Sequence, residues 1–208
     1  MAQQNAPESD ISAETEEEGP SPLIFLNSPA PEESLRKIGL YGSINEENCA
    51  DVVYSLFNFD HKATPDEEDS QDPVELVIST HGGDASEMFA VYDVMRMFRE
   101  KSPLATYGIG KVMSAGVLLL AAGTKGQRRI GKHCRVMMHS VASGHMGELH
   151  NLENELEEVQ NTQQQYVSAL AAETKMTERQ IRKVLDKKIN VYFTAEEAVK
   201  YGIADKVV

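Results

Sequence analysis

Two kinds of hydrophobic pattern alternate along most of the chain. Short apolar or β-branched runs predict strands, whereas apolar residues that recur every three or four positions predict helices. Strands alternating with helices indicate an α/β domain with a mainly parallel sheet, and we find no internal repeat. The predicted strands are Lys37–Tyr41, Val74–Ser79, Leu104–Ile109 and Cys134–Met138.

Residues that favour helix N-termini mark where the predicted helices begin. Asn45 precedes one helix and Asp84, paired with Glu87, precedes another. Further capping pairs predict two short helices near the end of the chain, Thr177 with Gln180 and Thr194 with Glu197. The faces expected to be buried are Ala50, Val53, Leu56 and Phe57 in the first helix, and Met88, Val91, Tyr92, Met95 and Phe98 in the second.

A long helix is predicted over Glu148–Thr174. Its first half carries an apolar stripe with the three- and four-residue steps of a coiled-coil seam. The stripe either packs on the domain's own sheet or extends beyond it and contacts a neighbouring molecule. Its members are Leu149, Leu152, Leu156 and Val159.

Most of the net charge of −13 comes from two short segments. Residues 1–20 contain six acidic residues and no Lys or Arg, and 58–73 contains six acidic residues and one Lys. We therefore expect a disordered acidic tail over 1–22, with a removable propeptide as the alternative, and a folded domain over 23–208. Residues 58–73 are expected to form an acidic surface loop.

Composition excludes several classes of function. Acidic residues outnumber Lys and Arg by 33 to 20, which argues against nucleic-acid binding, and no apolar run is long enough to span a membrane. Two cysteines, Cys49 and Cys134, are too few for a disulfide framework and are expected to be buried thiols of a reducing compartment.

Ser114 is the first residue whose position suggests chemistry. It follows a strand and a glycine-containing turn, and it begins the apolar helix Ser114–Ala122. A serine there is either an N-cap or a nucleophile beside unpaired helix amides, of which Ala115 N–H would be one. Val112 stands where the hydrolase motif G-x-S-x-G requires glycine, so an α/β-hydrolase is not expected.

His139 and a glycine pair could complete such a site. His139 ends the strand Cys134–Met138 and is the best-placed base for a serine. Gly82-Gly83 at another strand end is either a tight turn or a second backbone donor to an oxyanion. His145 and His150 have poor spacing for a metal, so neither a metal site nor a cofactor is expected.

Four segments in order resemble the ClpP family of serine peptidases, and the resemblance covers about 37–208. They are VELVISTHGGDASEMFAVYDVMR, YGIGKVMSAGVLLLAAGTKGQRR, CRVMMHS and FTAEEAVKYGIADKVV. The resemblance implies a crotonase-like fold of repeated β-α units with a long protruding helix. It also implies cleavage of unfolded polypeptides in a homo-oligomer of stacked heptameric rings, fed by an AAA+ unfoldase. The expected location is the cytoplasm, or the plastid stroma for an organellar protein.

By the same resemblance, Ser114 matches the nucleophile and His139 the base. Gly82 and Ala115 match the oxyanion-hole amides. The family's third catalytic residue is an aspartate, but the matching residue here is Asn190, and Asp186 could replace it only if the loop shifts. His81 also stands where the family usually has proline.

Three functions remain open after this comparison. The chain is either an active ClpP-type endopeptidase, or a catalytically weak ring subunit that assembles with an active paralogous ClpP subunit, or an acyl-CoA enzyme on the same fold. Asn190 motivates the second possibility, because an amide cannot offer a negative charge to the imidazolium. The retained serine and histidine argue against the third.

Overall fold

A computed structural model describes residues 36–62 and 73–208 of the chain. The predicted acidic tail and most of the predicted acidic loop lie outside these residues. The helices and strands, in chain order, are β1 (Lys37–Ile44), α1 (Glu46–Lys62), β2 (Val74–Gly83), α2 (Ala85–Arg99), β3 (Leu104–Met113), α3 (Ala115–Ala121), β4 (Arg128–Ile130), β5 (Arg135–Met138), α4 (Leu149–Glu173), α5 (Glu178–Leu185), β6 (Val191–Phe193), α6 (Ala195–Tyr201) and β7 (Lys206–Val207).

The strands form one mostly parallel sheet, which confirms the predicted fold class. Its main order is β1-β2-β3-β4-β7, and β5 and β6 extend it from the second half of β3. The first half of β3 pairs with β4, whereas Lys111, Val112 and Met113 pair with β5. Because the second half of β3 pairs in parallel with β5, the carboxyl ends of these two strands lie side by side. Only β5 and β6 are antiparallel among the described strands.

The caps predicted from sequence form in the structure. Asn45 Oδ1 accepts the N–H of Asn48, and Asp84 Oδ1 accepts the N–H groups of Ser86 and Glu87. Thr177 and Thr194 each form a complete capping box. These bonds satisfy amides that have no acceptor within their own helix.

Two predictions for α1 are wrong, the position of its end and the set of residues on its buried face. The helix α1 continues to Lys62, so the first five residues of the predicted loop 58–73 are helical. Its buried face is Cys49, Val52 and Leu56, while Phe57 is 39% exposed. Of the residues predicted to be buried in α1, only Leu56 belongs to the observed buried face. All five residues predicted to be buried in α2 are buried.

The long helix α4 divides into two halves. Its second half packs into the core through Tyr166, Val167 and Leu170. In its first half, Leu149 is 67% exposed and Leu156 is 59% exposed, so the apolar stripe does not pack on the sheet of its own chain. Of the two alternatives for the stripe, the structure supports extension beyond the domain.

A buried charge network fixes the carboxyl end of α4. The Glu173 carboxylate, 6% exposed as a residue, accepts hydrogen bonds from Arg99 at 2.6 and 3.1 Å and from Lys125 at 2.9 Å. Tyr92 donates a further bond at 3.2 Å. Arg128 joins this group by donating to the Glu173 carbonyl at 2.6 Å. The network connects α4 to α2 and to the loop before β4.

Arg128 also links this network to Asp205, near the C-terminus. Its guanidinium forms a two-pronged contact with Asp205, at 2.8 Å from Nε and 2.5 Å from Nη2. Asp205 accepts the Gly126 N–H as well. Burial by itself raises the pKa of Asp205, but the bonds and charge of Arg128 outweigh it and lower the pKa to about 2.

Candidate active site

Parallel pairing of β3 with β5 brings the predicted nucleophile and base together. Met113 pairs with Met137, so Ser114 leaves β3 beside the end of β5, from which His139 follows. Ser114 Oγ lies 2.9 Å from His139 Nε2. Both side chains are partly buried. The structure thus places two residues that are 25 positions apart in hydrogen-bond contact.

The side chain of Ser114 does not cap its helix. Ser114 occupies the N-cap position of α3, but its side chain forms no capping hydrogen bond. A capping serine turns its oxygen toward helix amides, whereas here the oxygen meets an imidazole. If Oγ donates to Nε2, the neutral ring carries its proton on Nδ1. That arrangement allows the imidazole to remove the serine proton.

Ser114 has an uncommon backbone conformation. Its φ of 53° and ψ of −122° lie outside the regions that L-residues favour. Such a conformation costs of order 1–3 kcal/mol and persists only where neighbouring groups impose it. Three hydrogen bonds do so: Ser114 N–H donates to the Met137 carbonyl at 2.8 Å, and the Ser114 carbonyl accepts from Val117 N–H at 3.0 Å and Tyr166 Oη at 2.9 Å.

Gly82 lies against the nucleophile. It has φ of +96°, and a Cβ at this position would lie 2.6 Å from Ser114 Cβ and 3.2 Å from the Ala115 nitrogen. Both the backbone angle and the contact therefore require glycine. The two predicted oxyanion-hole residues, Gly82 and Ala115, are neighbours in space.

The two predicted donor amides differ in their present partners. Gly82 N–H donates to Thr80 Oγ1 at 3.0 Å, and Thr80 Oγ1 in turn donates to the Gly42 carbonyl at 2.6 Å. Ala115 N–H is the first amide of α3, so it has no acceptor within its helix. Ala115 N–H can thus donate directly to a substrate oxygen, whereas Gly82 N–H must first give up its bond to Thr80 Oγ1.

Asn190 and His139 each lie one residue beyond the last pair of the antiparallel β5–β6 ladder. That pair is Met138 with Val191, so Asn190 precedes β6 and His139 follows β5. Asn190 is exposed, and within the described residues no hydrogen bond joins its side chain to His139. Two members of the predicted Ser-His-Asn constellation, Ser114 and His139, are in contact, and the third, Asn190, forms no hydrogen bond with His139 among the described residues.

Other residues considered from sequence lie outside this contact. Asp186 is an exposed C-cap of α5 whose amide donates to the Arg182 carbonyl, which agrees with a solvated helix end. His81 is exposed within β2, which continues through the predicted turn to Gly83. His145 and His150 each lie near a glutamate, at 3.3 Å from Glu155 and 3.5 Å from Glu153 respectively.

No group of three or more His, Cys, Asp or Glu side chains within the described ranges is arranged to hold a metal ion. Across those same ranges, no helix combines the length and apolar character needed to cross a bilayer. Both cysteines are buried thiols, as predicted.

Sequence reasoning missed the residues that support the site from α4. Tyr166 is one of several apolar residues in the second half of the predicted helix, and nothing in the sequence marks its hydroxyl for a partner 52 positions away. Gln163 lies in a polar run without any motif, yet its Oε1 accepts the Val141 N–H at 3.2 Å. Thr80 shortly precedes the glycine pair, and no motif marks its hydroxyl as the acceptor of the Gly82 N–H.

Comparisons with known proteins agree with this geometry. The family model described as Clp protease matches residues 33–208. The ATP-dependent Clp protease proteolytic subunit 4 of Rhodococcus jostii is 31% identical over 195 residues, covering 90% of this chain and 96% of that protein. Proteolytic subunit 2 of Corynebacterium glutamicum is 35% identical over 186 residues, covering 89% and 81%.

A third relative has a similar identity over a shorter segment. The ATP-dependent Clp protease proteolytic subunit 2 of Prochlorococcus marinus is 35% identical over 144 residues, which is 69% of this chain and 70% of that protein. The family match spans far more than half of the sequence and includes both Ser114 and His139. The chain therefore belongs to the Clp protease family.

Proposed function

We propose that the chain is a serine endopeptidase that cleaves unfolded polypeptides inside an oligomeric chamber. The observation that carries the proposal is the 2.9 Å contact between Ser114 Oγ and His139 Nε2, made by a serine whose side chain does not cap its helix. Ser114 attacks the scissile carbonyl while His139 takes its proton and later returns it to the leaving amine. No metal or cofactor takes part.

The oxyanion of the tetrahedral intermediate would lie near the start of α3. Ala115 N–H supplies one donor, and Gly82 N–H supplies a second when it exchanges Thr80 Oγ1 for the substrate oxygen. Removal of one such donor in a serine protease typically costs about 10²–10³-fold in kcat. Gly82 lies near the end of β2 and Ala115 begins α3, so the two amides would hold the carbonyl from two different elements.

An active-site probe tests the peptidase proposal. A fluorophosphonate should label the assembled protein on Ser114, as located by mass spectrometry of the modified peptide. Ser114→Ala and His139→Ala should abolish labelling, whereas Ser168→Ala, which alters a surface serine bonded to Glu178, should leave it unchanged. An assembled protein that is neither labelled nor able to cleave peptides would refute the assignment.

We infer the assembly from the family and from α4. The names of the relatives describe them as proteolytic subunits of an ATP-dependent protease. The exposed apolar stripe of α4 supports packing between chains, here proposed as stacked heptameric rings fed by an AAA+ unfoldase. A paralogous subunit could share the ring. Sedimentation of the purified chain, alone and with a paralogue, tests this assembly.

A specific observation favours a second candidate, a ring subunit with weak catalysis. His139 has no hydrogen bond to Asn190 in the described structure, and asparagine brings no charge to stabilise an imidazolium. In a serine protease with a Ser-His-Asp triad, changing Asp to Asn lowers kcat by about 10⁴-fold. We propose that Asn190 orients the imidazole through its side-chain carbonyl during turnover.

Asn190→Asp distinguishes the two candidates, with Asp186→Asn as the matched control for the nearby carboxylate. A large increase in kcat for peptide cleavage would show that the native constellation is handicapped. An unchanged kcat in a protein that already cleaves peptides would show that Asn190 suffices or takes no part. Loss of activity in Asp186→Asn would assign the third position to Asp186 instead.

A further inference from the structure

We propose that Gln163 and Tyr166, one turn apart on α4, are positioning residues that hold the nucleophile and base segments in register. This inference rests on the proposed peptidase function. Tyr166 Oη donates to the Ser114 carbonyl at 2.9 Å, and Gln163 Oε1 accepts the Val141 N–H at 3.2 Å. One helix face thereby reaches both the residue that attacks and the segment that immediately follows the base.

The Tyr166 bond acts on a strained residue. Ser114 keeps its φ of 53° only while its backbone groups are held, and its carbonyl is shared between Val117 N–H and the Tyr166 hydroxyl. The tyrosine ring is 5% exposed, so water cannot easily replace its hydroxyl. Burial raises the pKa of Tyr166, and the phenol therefore remains protonated and able to donate.

The Gln163 bond acts on the segment that follows β5. Val141 follows His139 by two residues, after β5 has ended at Met138. The side chain of Gln163 thus supplies the acceptor that a neighbouring strand would otherwise provide. Because the Ser114–His139 contact depends on the relative position of two segments, holding both from one rigid helix keeps their separation constant.

Three variants separate positioning from packing. Tyr166→Phe removes only the hydroxyl, and Gln163→Met removes the acceptor at nearly constant length. Gln163→Glu retains an acceptor oxygen. Tyr92→Phe is the matched control, because it also deletes a buried tyrosine hydroxyl, but one bonded to Glu173 in the charge network rather than to the site.

Kinetics of peptide cleavage by the assembled protein give the first readout. We expect Tyr166→Phe and Gln163→Met each to lower kcat and the rate of fluorophosphonate labelling by roughly 10-fold, with KM nearly unchanged. Gln163→Glu should recover most of the kcat, and Tyr92→Phe should retain it. Wild-type kcat and labelling rates in both Tyr166→Phe and Gln163→Met would overturn the proposal.

Crystal structures of the same variants give a readout that does not require activity. The Oγ–Nε2 distance of 2.9 Å should lengthen in Tyr166→Phe, and Ser114 φ should relax. Both values retained in Tyr166→Phe would overturn the role of Tyr166, even if the native chain cleaves nothing. Absence of labelling in the native protein would instead refute the peptidase function, so the two failures are distinguishable. If Tyr166→Phe does not fold, the comparison of Gln163→Met with Gln163→Glu decides the test, because Gln163 is partly exposed.

Discussion

Replacing Glu173 with Gln should destabilise the folded chain in a way that depends on pH. Burial by itself raises the pKa of this carboxyl group, but the hydrogen bonds and charges of Arg99 and Lys125 outweigh it and lower the pKa from 4.5 to about 2. Each unit of pKa corresponds to about 1.4 kcal/mol. The ionised Glu173 therefore contributes roughly 3 kcal/mol to the free energy of unfolding at neutral pH.

The direction of the pH dependence follows from the lowered pKa. The unfolded chain binds a proton near pH 4.5, whereas the folded chain resists it until about pH 2. Stability is thus fully present above about pH 5 and falls as the pH decreases toward 2. Glu173→Gln removes this contribution and leaves the partly buried Arg99 without its counter-charge.

Equilibrium unfolding in urea between pH 7 and pH 3 measures the effect, at constant protomer concentration because assembly also stabilises the fold. The difference between native chain and Glu173→Gln should be about 3 kcal/mol at pH 7 and should shrink as the pH falls. Glu178→Gln, at an exposed carboxylate on α5, is the matched control and should change stability far less. A difference that stays constant from pH 7 to pH 3 would refute the ionised network.

Two further predictions concern Gly82 and the two cysteine thiols. Gly82→Ala should lower the free energy of unfolding by about 1–3 kcal/mol and abolish labelling of Ser114, because the added Cβ would lie 2.6 Å from Ser114 Cβ. Gly42→Ala is the control: its φ of +82° makes alanine strained there, but the added Cβ would have no atom within 4 Å. Labelling of Ser114 should therefore persist in Gly42→Ala. Burial raises the pKa of Cys49 and of Cys134 to about 11, so an aromatic disulfide reagent at pH 8 should react with both thiols only after unfolding. Normal labelling in Gly82→Ala, or rapid titration of two thiols in the native protein, would contradict these expectations.

Local signals predicted much of the fold because they depend on few residues. Capping positions at Asn45, Asp84, Thr177 and Thr194 require only a side chain and its own helix. Strand lengths are less local. The strand β1 continues past Gly42 to Ile44, since a register shift between Gly42 and Ser43 lets it follow β2 to its end. The pattern of one strand cannot reveal how its partner ends.

The burial of α1 and α4 shows another limit of the sequence pattern. Helical periodicity predicts that a face is apolar, but the neighbours decide which residues of that face are covered. In α1 the Cys49 side chain is buried in the core, whereas Phe57, which was expected there, is 39% exposed. In α4 the apolar stripe is present as predicted, yet no element among the described residues covers Leu149 or Leu156.

Charge networks and backbone contacts at the site were beyond sequence reasoning. Glu173, Arg99 and Lys125 are far apart in the chain, and each alone resembles an ordinary surface charge. Resemblance supplied Ser114 and His139, because the motifs around them are specific. It could not show that Asn190 forms no hydrogen bond with His139 among the described residues, since that depends on the geometry beyond the last β5–β6 pair.

The backbone of Ser114 explains why this serine faces the imidazole rather than its own helix. An N-cap residue normally has an extended backbone that turns its side chain toward the amides of the first turn, as at Asp84, Thr177 and Thr194. Ser114 instead has positive φ, and its oxygen points away from α3 toward β5. The first amides of α3 then lack the side-chain acceptor that a cap would provide. The same distortion that frees the hydroxyl for His139 thus leaves helix amides without a side-chain acceptor, and the Tyr166 bond that holds this distortion is the link that we propose between α4 and catalysis.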